Sequence, residues 1–155
     1  MKISPRKLNL FLLFKLPSAY FTGVRTKEID NEKCVVTVKH RWINQNPFKS
    51  MFWAVQGMAA ELTTGALVMQ QIKASGKNIS MLVANNNATF VKKATGRITF
   101  VCNDGLEVEK AITKAIETGE GQTIWMKANG VNTEGIEVSK FNFEWTLKVK
   151  SKNKV

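Results

Sequence analysis

Between Asn46 and Gln71 (NPFKSMFWAVQGMAAELTTGALVMQQ) apolar residues recur at intervals of three and four. Met51, Phe52, Val55, Met58, Ala59, Leu62, Ala66 and Met69 thereby form one broad stripe with the period of a helix. Behind the stripe stand Ala54, Gly57, Ala60 and Gly65, small enough to let a sheet close on the helix. Glycine in a helix interior costs about 1 kcal/mol against alanine, so two of them point to close backbone approach. Asn46 before Pro47 reads as an N-cap and first helical residue, with Ser50 an alternative cap one turn later. The expectation is a mostly buried helix with sheet wrapped around it.

The flanking segments alternate at the period of strands. Val24–Ile29 and Lys33–His40 read as a hairpin across Asp30–Glu32, with Cys34, Val36 and Val38 on one face. Ala74–Asn78 is a turn, and Ile79–Val91 a long strand interrupted by Asn85–Asn87. After a break at Lys92–Gly96, Arg97–Cys102 alternates strictly. Asp104 then caps a second amphipathic helix, Gly105–Thr118, with Val108, Ala111, Ile112, Ala115 and Ile116 inward. Gly119–Gly121 ends it, and Thr123–Val131 and Ile136–Val149 are strands joined at Asn132–Gly135. Along the last strand the inward set changes parity between Val138 and Phe141, which predicts a bulge near Ser139–Lys140. Lys148, Lys150, Lys152 and Lys154 alternate like a charged sheet edge, or serve as a solvated tail from residue 150 to 155.

At the N-terminus, Lys2, Arg6 and Lys7 precede the apolar run Leu8–Leu16, a superficial likeness to a secretory leader. The run is short, is interrupted by Lys15, and no small-x-small cleavage site follows. Ser4 and Pro5 instead start a helix over Pro5–Leu16, expected to cover an edge or end of the sheet, and Pro17–Gly23 reads as a loop. A basic helix with exposed Phe and Leu has a second reading, contact with a membrane surface, without stable insertion. The 155 residues fit one domain, 1–155, with 1–18 as its covering segment.

Two cysteines, Cys34 and Cys102, are too few for a disulfide framework; reduced, buried thiols and a cytoplasmic protein are expected. His40 is the single histidine and no close Cys/His cluster exists, which argues against a zinc site. The formal charge is +11, yet Arg6, Arg25, Arg41 and Arg97 are the only arginines among 23 basic residues. Sequence-reading nucleic-acid sites lean on Arg forks, so nucleic acid is not the expected partner, whereas phosphorylated small molecules fit the charge.

A six-stranded antiparallel sheet curled around a long helix is the hot-dog fold, of class α+β, and particular residues carry the resemblance. NPFKSMFWAVQGMAAELTTG resembles the loop and central helix of a hot-dog subfamily of uncharacterised thioesterase-like proteins. ATFVKKATGRITFVC is similar to the corner and following strand of that fold, with Lys93 where proline is usual. The resemblance implies an acyl-CoA thioesterase related to the phenylacetate-pathway enzymes, or a non-catalytic acyl-binding or fatty-acid-binding module. It implies acyl-CoA or an acyl carrier as substrate, no cofactor beyond the coenzyme A of the substrate, and no metal. A homodimer or a dimer of dimers is implied too, with the site at the seam and Ile79–Val91 as the seam strand.

In such thioesterases backbone N–H groups at the helix start polarise the thioester carbonyl, and a carboxylate in the second helical turn is nucleophile or general base. Laid on this chain, the loop's last glycine becomes Ser50 and the carboxylate position becomes Gly57, which has no side chain. Glu61 is the only acid in the helix, on the same face and roughly 6 Å further along. One reading makes Glu61 the shifted catalytic group with Gln56 and Asn46 orienting substrate or water; the other makes it a packing residue bonded to backbone or to Thr63 or Thr64. Lys92, Lys93 and Arg97 resemble phosphate contacts, or are a solvated turn. Tyr20 and Trp53 wall an acyl pocket, or belong to the core.

Overall fold

The computed structural model describes residues Ile3–Lys150, so the end of the basic tail lies outside the described residues. Six strands form a single antiparallel sheet: β1 (Arg25–Ile29), β2 (Cys34–Lys39), β3 (Ile79–Phe90), β4 (Arg97–Cys102), β5 (Gln122–Val131) and β6 (Glu137–Val149). Their spatial order is β1-β2-β4-β5-β6-β3. Helix α3 (Trp53–Ser75) lies in the curl of that sheet, against β1, β2, β4, β5 and β6. It is buried on more than its stripe. Val55, Ala59, Leu62 and Ala66 are covered as expected, and so are Ala60, Thr63, Thr64, Gly65, Leu67 and Val68.

The small residues have the role their size suggests. A Cβ on Gly65 would lie 3.1 Å from the Trp145 ring, so glycine leaves the indole room to approach the helix closely. The indole N–H then donates to Thr64 Oγ1 at 3.0 Å, satisfying a buried donor. Thr63 and Thr64 are satisfied inside the helix, on the carbonyls of Ala59 and Glu61.

The start of α3 differs from the expectation. Asn46 and Pro47 do not open it; the helix begins at Trp53, after Phe52 at the N-cap, and ends at Ser75 with Gly76 in the left-handed region. The Asn46 side chain is the cause, since Asn amides offer nearby backbone N–H groups an alternative to the helix. Its Oδ1 accepts the N–H of Phe48 at 2.9 Å and of Ser50 at 3.2 Å. Lys49 turns left-handed at φ 60°, and Gln45 bridges to Met51 as a short antiparallel pair. Ser50 is therefore a buried loop residue rather than a cap.

Other elements follow the sequence with local corrections. Helix α1 (Pro5–Lys15) begins at Ser4, whose hydroxyl accepts the Lys7 N–H at 3.3 Å. It does cover the sheet edge: the Asn9 amide donates to Thr26 O and accepts the Thr26 N–H, as a neighbouring strand would. Pro17–Phe21, expected as loop, is the short helix α2, with Pro17 at its first position. Helix α4 (Gly105–Thr118) buries Val108, Ile112 and Ala115. Asp104 stands at its N-cap without capping it; the carboxylate accepts the Lys127 N–H at 2.8 Å and the Cys102 thiol at 3.6 Å.

β3 runs unbroken through Asn85–Asn87, with its irregularity at Ala84, between Val83 and Asn85. Asn85 donates to Glu144 at 2.7 Å and Asn87 accepts from Asn142 at 2.7 Å, so two of these amides are spent within the sheet. On β6 the slip falls at Val138, just before the expected place, and leaves Val138 and Ser139 both buried. Cys34 and Cys102 sit opposite one another on β2 and β4 as free, buried thiols, and burial pushes the Cys34 thiol up to about 12.

Candidate active site

The loop ahead of α3 and the corner between β3 and β4 are folded against each other. Met51 N–H donates to Ala94 O at 2.8 Å, and Lys93 Nζ reaches Phe48 O at 3.2 Å. Asn46 braces the loop from inside, its amide donating to Ser50 Oγ at 3.0 Å and to Met51 O at 3.4 Å. Between loop and corner lies a groove of about 570 Å³ lined by Asn46, Ser50, Trp53, Gln56, Lys92 and Lys93, with Phe48, Phe52, Phe90 and Val91 as apolar wall. Six residues singled out in the sequence thus share one cleft, although they come from two distant stretches.

Their states differ. Gln56 is buried; its Oε1 accepts the Ser139 hydroxyl at 2.8 Å and its Nε2 donates to Met51 O at 3.5 Å. It joins the loop to the β6 bulge, a positioning contact. Lys92 and Lys93 are exposed, as are Trp53, Phe48, Phe52 and Phe90. Phe52 makes no side-chain cap, so the Trp53 N–H, at the mouth of the cleft, and the Ala54 N–H after it have no upstream helical carbonyl. A 23-residue helix with an uncapped start presents partial positive charge there.

Glu61 does not face this cleft. It lies eight residues beyond Trp53, about 12 Å along the axis, in a second groove of about 270 Å³ with Phe11, Leu12, Lys15, Met58, Met81 and Trp145. Water reaches its carboxyl, yet the apolar surroundings strip enough hydration to push it above the usual carboxylate range. Among the described residues its side chain makes no ion pair or hydrogen bond; Thr64 uses its backbone carbonyl only.

Three other residues stand apart. Tyr20, on α2, lies beneath the Arg25 guanidinium, 3.7 Å from ring centre to Cζ. Arg97 is exposed on β4 directly opposite Lys39. Gly57 faces β6, where an added Cβ would find Phe141 Cε1 at 3.5 Å, an ordinary contact. Gly57→Ala is therefore expected to stabilise the protein by about 0.5–1 kcal/mol through helix propensity, read as a higher urea midpoint. Ser139 escaped sequence reasoning, although the parity change on β6 marked its neighbourhood. The aromatic wall escaped it too, because apolar residues around Pro47 read as core.

Residues 6–147 match the model of a domain of unknown function, DUF4442. The chain belongs to the DUF4442 family. No curated protein matches it in sequence. Among solved structures, this DUF4442 chain is similar to a Pseudomonas aeruginosa protein of unknown function named a probable thioesterase, at 19% identity and TM-score 0.81, over 97% of this chain and 99% of that one. It is similar to a mutant thioesterase of the same organism at 14% identity and TM-score 0.72, over 97% of both chains. A Streptococcus mutans protein solved with acetyl-CoA bound matches at 11% identity and TM-score 0.61, over 85% of this chain and 94% of that one. At these identities the likeness is one of fold, and this DUF4442 protein has the hot-dog fold. Among the described residues no helix is long and apolar enough to cross a membrane.

Proposed function

We propose that the protein binds acyl-CoA thioesters, or the acyl thioester of a carrier protein, in the cleft at the start of α3 and hydrolyses them as a cytoplasmic homodimer. The observation that carries this reading is the cleft's composition: an uncapped helix start, an aromatic wall and two exposed lysines, Lys93 resting on Phe48 O, around about 570 Å³. Each matches a part of the substrate. The Trp53 and Ala54 N–H groups polarise the carbonyl oxygen and stabilise the oxyanion formed when water attacks. Phe48, Phe52, Trp53 and Phe90 take the apolar arm, and Lys92 and Lys93 take phosphate oxygens without being buried. Coenzyme A enters as part of the substrate, and no separate cofactor is required. A fold neighbour that holds acetyl-CoA supports the substrate class.

Hydrolysis needs a group that removes a proton from water, and Glu61 is the only carboxylate on α3. Since Glu61 faces a different groove within one chain, this reading assigns it to the cleft of the second copy, across a seam made by the exposed edge of β3. The tetrahedral intermediate then expels the coenzyme A thiolate, which leaves as the thiol. A second reading, binding without turnover, is favoured by Gly57, which places no carboxylate where the resemblance expects one.

A panel of acyl-CoA substrates with a free-thiol assay, run beside a binding titration, separates the two readings. Thiol release supports hydrolysis; saturable binding without it supports the second reading; neither one dismisses the cleft as an acyl-CoA site. Lys92→Ala with Lys93→Ala is expected to raise KM, or Kd, about tenfold with kcat within about twofold, since two charge-assisted contacts to phosphate are lost. The effect should shrink as salt is raised.

A further inference from the structure

Helix α1 is apolar on both sides, which a helix covered on one side only does not require. Leu8 and Leu12 are buried against the domain, yet Leu10 is 57% and Phe14 71% exposed on the opposite face. The apolar surface continues past α1. On α2 Phe21 is 64% exposed, and in the short turn Trp42–Asn44 the Trp42 ring is 83% exposed. Asn44 ties that turn to the end of α2, its amide donating to Thr22 O at 2.9 Å and to Lys39 O at 2.9 Å. Leu10, Phe14, Phe21 and Trp42 thus stand out from neighbouring elements, largely uncovered by the described residues, with only Tyr20 against the edge of Phe21.

We propose that this surface, the outer side of α1 and α2 with the Trp42 turn, docks on an anionic lipid bilayer. Charge decides between this and the rival occupants. Arg6, Lys7, Lys15 and Arg41 are exposed around it, and no Asp or Glu precedes Glu28 in the chain. Glu28, the first acid in sequence, is engaged by Lys33 at 2.9 Å, and Glu61 lies with Lys15 in a groove on the Phe11 side of α1 rather than the Leu10–Phe14 side. A two-fold contact between copies through this surface would set Arg6, Lys7 and Arg41 against their own copies, with no acid on the Leu10–Phe14 face to offset them. An anionic bilayer offers them phosphate and carboxylate groups and offers the apolar side chains its acyl boundary. With 11 residues α1 is far shorter than the roughly 20 that span a bilayer, so it lies in the interface plane, where Trp and Phe are well placed.

Co-sedimentation of the full chain with vesicles tests this. Vesicles of phosphatidylcholine containing about one third phosphatidylserine should bind at least about tenfold more tightly than phosphatidylcholine alone, with binding lost at high salt. Phe14→Ser and Lys7→Glu, both solvent-facing, should each weaken binding about fivefold or more, with an unchanged far-UV spectrum; if one variant misfolds, the other carries the comparison. No retention on anionic vesicles, or parent-like binding by a folded variant, overturns the proposal. So does light scattering that shows Phe14→Ser dissociating a parental dimer which itself ignores vesicles, since the surface would then be a contact between copies.

Discussion

Glu61→Gln should lower kcat for acyl-CoA hydrolysis at least about 100-fold, the usual scale for a general acid–base group, with KM within about twofold. The same change should leave the protein as stable as the parent or more so at neutral pH. Both expectations come from the carboxyl standing among apolar neighbours, which pushes it above the ordinary carboxylate range. A raised acid holds its proton more tightly in the folded chain than in the unfolded one. Its favourable contribution is therefore complete below the unfolded value, about 4.3, and is lost as pH rises through the folded value. Above that window the ionised group costs stability, and Gln removes the cost. The thermal midpoint of Glu61→Gln should exceed the parent's at pH 7 and converge with it below about pH 4. In turnover, a base that must be ionised gives an acid limb whose midpoint lies above the usual Glu range. Equal turnover by Glu61→Gln and parent would remove Glu61 from the mechanism and require another group to activate the water. A lowered midpoint at pH 7 would show instead that the carboxylate has a stabilising partner.

What the sequence made legible was whatever rests on local period. The stripe from Val55 to Ala66 announced α3, the alternation of Ile98, Phe100 and Cys102 announced β4, and the change of parity before Phe141 announced the slip on β6. The helix start is not legible in the same way, because Asn46-Pro47 satisfies the rules for a cap as well as those for a side-chain-closed turn. Only the register of Gln45 with Met51 and the tie from Met51 to Ala94 decide between them. The cleft was legible in its polar and basic members, Asn46, Ser50, Gln56, Lys92 and Lys93, and in Trp53. Its apolar wall was not, since Phe48 and Phe52 are indistinguishable by composition from core residues. Gln56 bonds Ser139, far away along the chain, and no periodicity reports such a pair. The sequence shows Glu61 as the lone acid of the helix; that it opens on a separate groove follows from where α1 packs, which the helical face alone does not contain.

The largest loss of stability is expected far from the cleft, at Gly105→Ala. Gly105 opens α4 against the turn between β1 and β2, its N–H donating to Glu32 O at 3.0 Å. An added Cβ would overlap the Asn31 carbonyl oxygen and lie 2.7 Å from Glu32 Cα. These are backbone atoms, and they have no room to yield. The turn is fixed from within by Asp30 Oδ1, which accepts the N–H groups of Glu32 and Lys33 at 2.8 Å each. From the other side Gln71 donates to Asn31 O at 2.8 Å and to Gly105 O at 3.2 Å, and Gln70 donates to Asn31 Oδ1 at 2.9 Å. Moving α4 away to admit a methyl group would break the Gly105–Glu32 bond and strain the buried Gln71 amide, so overpacking and lost hydrogen bonds add. The expected cost is about 3 kcal/mol or more, read as a lower urea midpoint with an unchanged slope. Gly121→Ala is the control, because its Cβ would meet only Leu147 O at 3.7 Å, and it should fall within about 0.5 kcal/mol of the parent. The damaged junction holds the C-terminal end of α3 whereas the cleft stands at its start. Gly105→Ala protein kept folded by low temperature should therefore bind acyl-CoA like the parent, and a matching loss of binding would show that the two ends of the central helix are coupled.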